Sequence, residues 1–232
     1  MNPRRRDMER FLSKEVFPYP RRLASLLDVS QKPPHKPLRS VRDPRSLRAL
    51  AHPTRIALLE ALALRGTLTA TEAAEIVGGN ASNASYHLRT LAAHGYVAPA
   101  EGGAGRERPW RLENPGMTFS EDDEDPAVAQ AARALSEVFV ERWSERRRRY
   151  HETRDSHPEP VRRVSGESQA VLFVTPEEME QVKDEILQLL LRYQDRIEDP
   201  AARPAGSTAF ELVLSTVPFD VAPTTEPVTA QD

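Results

Sequence analysis

The sequence predicts an α+β fold: a mainly helical domain that ends in a β-hairpin, followed by a small helix–strand–helix–strand module. Three observations predict it. Between residues 43 and 94, apolar side chains recur at helical spacing in four short runs, each opened by a capping residue or closed by glycine. Two short runs of strand-forming residues then flank a glycine-rich tip at 101–105. Beyond an acidic break at 116–125, residues 126–220 alternate between helical and strand patterning.

Each element has its own signal. Residues 1–40 are basic and interrupted by Pro18, Pro20, Pro33, Pro34 and Pro37, so they are expected to form a mobile arm, with short helices at most around Phe11–Phe17 and Leu23–Leu27. Asp43-Pro44 pairs a capping carboxylate with a proline at the first helical position. Leu47 and Leu50 give that helix an inner face. His52-Pro53-Thr54 starts the next helix, with Ile56, Leu59 and Ala63 in register and Gly66 at its end. Thr69 and Glu72 stand at capping-box spacing ahead of Ala73, Ile76 and Val77. Gly78-Gly79 makes a tight turn. Asn80 opens a further helix with Ala84, Leu88 and Leu91 on one stripe, closed by His94-Gly95. Residues 96–100 and 106–112 read as the two strands of a hairpin, with Trp110 packing it onto the helices. Two helices about a short turn, followed by a basic, glycine-rich hairpin, make a winged helix-turn-helix spanning residues 41–115.

The run His52-Pro53-Thr54-Arg55-Ile56 with Leu58-Leu59, then Ser85-Tyr86-His87-Leu88-Arg89-Thr90-Leu91, then Gly95-Tyr96-Val97, resembles the ArsR-type winged-helix transcriptional regulators. The closing Arg106-Glu107-Arg108-Pro109-Trp110-Arg111 is similar to an actinobacterial-style subgroup of that family. The resemblance covers residues 43–115 and extends more weakly to the second block. It implies a dimeric, promoter-binding, often ligand-responsive repressor with a C-terminal dimer or effector region.

An α-helix fits the major groove of duplex DNA, and its outward residues reach base edges. At about 100° per residue, the face of helix 80–94 opposite its apolar stripe carries Ser82, Asn83, Tyr86, Arg89 and Thr90, with Ser85 and His87 at its edges. Asn83 is matched to adenine, and Arg89 to guanine or phosphate. The hydroxyls of Ser82, Ser85 and Thr90 suit phosphate oxygens. Arg106 and Arg108 at the hairpin tip suit a narrow minor groove or the phosphate backbone. Thr69 and Thr71 sit where a helix N-terminus approaches phosphate.

The second block starts with a long helix from Asp125-Pro126 to about Arg154, its stripe formed by Val128, Leu135, Val138, Phe139 and Trp143. The charge run 146–149 reads as a solvated helix end. Residues 169–175 read as a strand, Thr175-Pro176-Glu177-Glu178 as the cap of a second helix, and residues 208–219 as a second strand by their alternation. This block, 126–220, is expected to form a dimer interface, to enclose a small-molecule effector near Phe139, Trp143, Phe173 and Tyr193, or to dock a protein partner. Residues 221–232 read as a disordered tail.

Charge supports this organisation. The net charge is −3, but residues 1–40 hold 10 basic against 4 acidic side chains, residues 41–115 hold 9 against 7, and residues 116–232 hold 13 against 24. Only 4 of the 32 basic residues are Lys, so the cationic chemistry is that of arginine, suited to phosphates and base edges. The absence of cysteine excludes disulfides, thiolate metal sites and cysteine nucleophiles. No apolar run approaches the roughly 20 residues that span a bilayer, and residues 1–10 lack the apolar core of a secretory signal, so a cytoplasmic location is expected. There is no phosphate-binding glycine loop, no HExxH and no nucleophile elbow. Asp155, His157 and Glu159 form at most a loose cluster. The expectation is therefore a non-enzymatic protein without cofactor or metal, binding double-stranded DNA as a homodimer. The competing expectation is a winged-helix protein-interaction module that does not bind DNA.

Overall fold

The computed structural model describes residues 38–102 and 108–219. Strand β1 (Arg39–Ser40) lies where the arm was expected, and it is tied down by parallel pairing to β5 (Met117–Thr118). Helix α1 (Pro44–Leu50) starts at Asp43, whose carboxylate accepts from the backbone N–H of Arg45 at 3.3 Å and of Ser46 at 2.9 Å. Helix α2 (Pro53–Arg65) is capped by the His52 ring, its Nδ1 accepting from Thr54 N–H at 3.2 Å. It stops at Gly66, which has φ +86° and stands so close to Pro200 that an added Cβ would lie 2.7 Å from its Cγ. After β2 (Thr67–Leu68), helix α3 (Ala70–Val77) carries the expected capping box of Thr69 and Glu72. Helix α4 (Ala81–Ala93) starts at Asn80, whose side chain accepts from Asn83 N–H at 2.8 Å. It ends in a turn in which Gly95 takes φ +70° and Tyr96 N–H donates to Leu91 C=O at 3.0 Å.

Strands β3 (Val97–Pro99) and β4 (Trp110–Leu112) form the expected hairpin. Strand β2, which has no signal of its own in the sequence, joins it: the sheet order is β2-β4-β3, antiparallel, with Leu68 opposite Trp110. Residues 103–107, with Arg106 among them, lie outside the described residues, as do residues 1–37 and 220–232.

The core is leucine-rich. Leu47, Leu50, Leu58, Leu62, Leu88 and Leu91 are fully buried, and so is Leu135 of α5 (Pro126–Thr153). Val128, Ala129, Ala131 and Ala132 of α5 are buried with it, and α1 packs along this face. Small alanines let the two helices approach closely. The acidic stretch 116–125 therefore does not separate two cores; the first turns of α5 complete the core of residues 41–115.

Farther along, α5 is held to α2 by charge. Arg142 Nε donates to Glu60 Oε1 at 3.2 Å and Arg146 Nη2 to the same oxygen at 2.7 Å. Burial pushes the Glu60 carboxyl up, but the two guanidiniums outweigh it and leave Glu60 below the ordinary range. The rest of the 146–149 run is also paired: Arg147 with Glu167, and Arg148 and Arg149 with Glu145.

The second block differs from expectation at its strands. Helices α6 (Glu159–Val164), α7 (Pro176–Leu191) and α8 (Asp195–Glu198) form, and α7 has the predicted box of Thr175 and Glu178. Residues 169–174 and 208–219 form neither helix nor strand, and their backbone makes no backbone–backbone hydrogen bond to a described residue. The apolar run at 171–174 and the alternation of residues 208–219 suit strands, but a ladder also needs a partner edge, and no described residue pairs with either segment.

Candidate nucleic-acid interface

The candidate face is built on α4. Ala84, His87, Leu88 and Leu91 turn inward, and Ser82, Asn83, Tyr86 and Arg89 stand exposed on one side. Ser85 and Thr90 are half-buried at its edges. Asn83 spends its backbone N–H on the cap and keeps its side chain outward. Tyr86 is 62% exposed, a large apolar ring in water beside polar neighbours. Arg89 Nε donates to Ser85 C=O at 3.2 Å, which lays the side chain along the helix, and the residue stays exposed. Thr90 Oγ1 donates to Tyr86 C=O at 3.1 Å.

His87, expected at the edge of this face, is a correction. It is 7% exposed and packs inward, with its ring 4.7 Å from that of His52. Two imidazoles that cap and seat helices against each other are not available to a duplex. Arg55 completes this cluster, half-buried in the first turn of α2, near enough to disfavour charge on both rings. In the sequence, His52 and Arg55 stand only as a helix start and part of a family-like run. Their spacing of three puts them at one end of α2, but their meeting with His87 is a tertiary event that no local pattern announces.

Burial first, then the neighbouring positive charge, holds His52 and His87 below the ordinary imidazole value of 6.5. The unfolded chain therefore takes up protons that the folded chain refuses. The stabilising difference is complete above about pH 6.5 and is lost as pH falls below it. The denaturant midpoint is expected to drop between neutral pH and about pH 5, and His87→Leu to flatten that drop. A variant with the parent's pH dependence would remove His87 from this account.

The far end of α4 is also anchored. Ser46 Oγ donates to Asp43 Oδ2 at 2.6 Å, so the contact of 3.2 Å between Ser46 Oγ and His94 Nδ1 has the histidine as donor. Tyr96 Oη donates to Ser46 C=O at 2.9 Å, and burial pushes its phenol up to about 12, so it remains a donor at any physiological pH. Helix α4 is thereby held at its middle by the His52 cap of α2 and at its C-terminal end by α1.

The other predicted residues divide. Arg108 is exposed at the base of the wing tip, whereas Arg106 lies outside the described residues. The Thr69 hydroxyl is committed to the cap, accepting from Glu72 N–H at 3.2 Å and donating to Glu72 Oε2 at 2.9 Å. That carboxylate also occupies the helix N-terminus that a phosphate would need, so Thr69 is poorly placed for one. Thr71 is half-buried in the first turn of α3. Trp110 packs against the core, as expected. Arg111 pairs with Glu113 at 3.4 Å.

The four aromatic residues expected near an effector do not gather. Phe139 stacks on Phe119 at 6.1 Å and borders a cavity of about 220 Å³ with Tyr96 and Met117, Trp143 lies under Arg147, and Phe173 and Tyr193 are exposed. No group of three or more His, Asp or Glu could hold a metal among the described residues. Among them, no helix is long and apolar enough to cross a membrane.

Helices α3 and α4 about a tight glycine turn, a β wing and an outward polar face on the second helix define a helix-turn-helix of the DNA-binding class. Comparison with known families agrees: a family model described as a helix-turn-helix domain matches residues 50–98, from the end of α1 into β3. No curated protein matches the chain.

Proposed function

We propose that this protein is a sequence-specific transcriptional regulator of the ArsR type, a repressor that binds an inverted-repeat operator as a homodimer. The observation that carries the reading is the exposed stripe Ser82, Asn83, Tyr86 and Arg89 on a helix whose opposite face is locked into the core. Asn83 and Arg89 read base edges, in the pairings to adenine and guanine that their shapes allow. Ser82, Ser85, Thr90 and the wing arginines Arg106 and Arg108 bind phosphate and set register. A dimer repeats this stripe about a two-fold axis, which is what a palindromic site requires.

A gel shift against the region upstream of its own gene, repeated over a range of salt, tests it. Binding is expected to weaken steeply with salt, as phosphate contacts release counterions. Retention of no duplex at low salt, with a protein partner co-purifying, would favour the interaction-module reading instead. Arg108→Ala is expected to weaken all duplexes alike and to lower the salt slope by about 1, measured in the same titration. An unchanged slope would take Arg108 off the backbone.

A further inference from the structure

Arg55 stands where a cation is costly. It is the third residue of α2, at the end of the helix where the peptide dipoles are positive, and that first turn holds no acidic side chain. It is half-buried, and burial pushes its guanidinium down from the ordinary arginine value. The titratable groups close enough to share its field are His52, His87 and Tyr86, and none of them brings a negative charge at neutral pH. Arg55 Nε is buried without a hydrogen-bond partner among the described residues, and so is Nδ1 of His87, itself 7% exposed. Among those residues Arg39, Arg142, Arg146, Arg162, Arg192 and Arg203 are also half-buried, and each of them has a partner. Arg55 makes no hydrogen bond or ion pair to a described residue. A half-buried charge is stable only when something of opposite sign meets it, and the described chain brings nothing of that kind.

We propose that Arg55, with the Tyr86 hydroxyl beside it, binds a phosphate oxyanion, and that this phosphate belongs to the backbone of the duplex that lies on α4. This rests on the DNA-binding reading above and adds to it a contact from a second helix. Tyr86 fixes where the anion comes from. It is 62% exposed on the stripe of Ser82, Asn83 and Arg89, and its neighbour in sequence is His87 of the cluster. An anion at Arg55 is therefore carried in by whatever lies along that stripe. The backbone of the turn cannot bind it, because Thr54 N–H donates to His52 Nδ1 and Arg55 N–H to His52 C=O. The side chains do the binding, and the helix end supplies only potential. A guanidinium fork matches two oxygens of one phosphate, and the phenol adds a further donor. A phosphate held from α2 while Asn83 and Arg89 face the bases fixes the orientation of α4 in the groove.

Arg55→Met keeps the apolar stem and removes the fork. Binding of the full chain to the upstream duplex and to an unrelated one is titrated over a range of salt, with thermal midpoints measured alongside. The variant is expected to bind both duplexes roughly tenfold more weakly at about 0.1 M salt, with the salt slope lowered by about 1, the mark of one lost phosphate contact. Its thermal midpoint is expected to equal or exceed the parent's, because a half-buried charge without a partner has gone. Arg55→Lys keeps the charge without the fork, so it should restore the slope and only part of the affinity. A residue that merely positioned Tyr86 or packed the cluster would cost affinity or stability and leave the slope alone. The parent's slope in Arg55→Met therefore overturns the proposal while the DNA reading stands. If the parent itself binds no duplex, the DNA reading fails, and midpoints in sodium phosphate against sodium chloride at equal ionic strength decide. A larger rise in the parent than in Arg55→Met leaves the oxyanion site standing with free phosphate as its ligand; equal rises overturn it as well.

Discussion

Replacing Arg89 by alanine is expected to weaken operator binding tenfold or more, the largest effect of any single exposed residue in the reading domain. Arg89 lies seven residues after Ser82, two helical turns along the same face, and is exposed, with Nε bonded to Ser85 C=O. A bidentate arginine–guanine pair is worth about 1–3 kcal/mol of discrimination, and every ~1.4 kcal/mol is tenfold. Arg89→Lys separates base reading from phosphate neutralisation. Lysine keeps the charge but loses the planar fork. If Arg89 reads guanine, Lys behaves much like Ala at the operator and the preference at one base position relaxes. If it neutralises a phosphate, Lys restores most of the affinity and the salt slope. The thermal midpoint should be the same in all three proteins, because the side chain is exposed and makes no ion pair among the described residues. Operator titrations in which the alanine variant matches the parent would take Arg89 off the reading face.

The reading domain was legible in the sequence because its boundaries are local chemistry. Asp43, Thr69 and Asn80 each cap a helix with a side-chain oxygen, and Gly66, Gly78 and Gly95 each take a positive φ where a helix stops. The reading face followed from the helical period alone. What escaped was tertiary. Strand β2 is two residues long and shows no alternation; it is a strand because β4 lies beside it. His87 falls at the edge of the polar face by angle, and only the imidazole of His52 turns it into a packing residue. The apolar run at 171–174 and the alternation of residues 208–219 predicted strands that do not form, because pairing is a property of two segments and the second was not in the pattern.

The boundary expected at residue 126 leads to the second large effect. Leu135→Ala in α5 is expected to destabilise the helix-turn-helix domain by about 2–5 kcal/mol, the cost of a cavity at a fully buried leucine. Leu135 is 0% exposed and belongs to the same cluster as Leu47, Leu88 and Leu91, although the acidic stretch 116–125 separates it from them in sequence. Val140 lies little more than one turn farther along α5 and is 58% exposed, so Val140→Ala should cost less than about 0.5 kcal/mol. The two variants change the same helix and leave its charge alone, and differ in which side of the helix loses atoms; Val140→Ala also gains helix propensity, which keeps its cost small. Urea unfolding followed by the fluorescence of Trp110, in a background where Trp143 is replaced by Phe, reports the reading domain itself. A fall in midpoint for Leu135→Ala with little change for Val140→Ala means that the first turns of α5 and the reading domain unfold together. Equal midpoints for the two variants would place α5 outside that core. A helix that shares a core with the helix-turn-helix domain at one end and is tied to α2 through Glu60 farther along is a built-in part of the domain that carries Asn83 and Arg89.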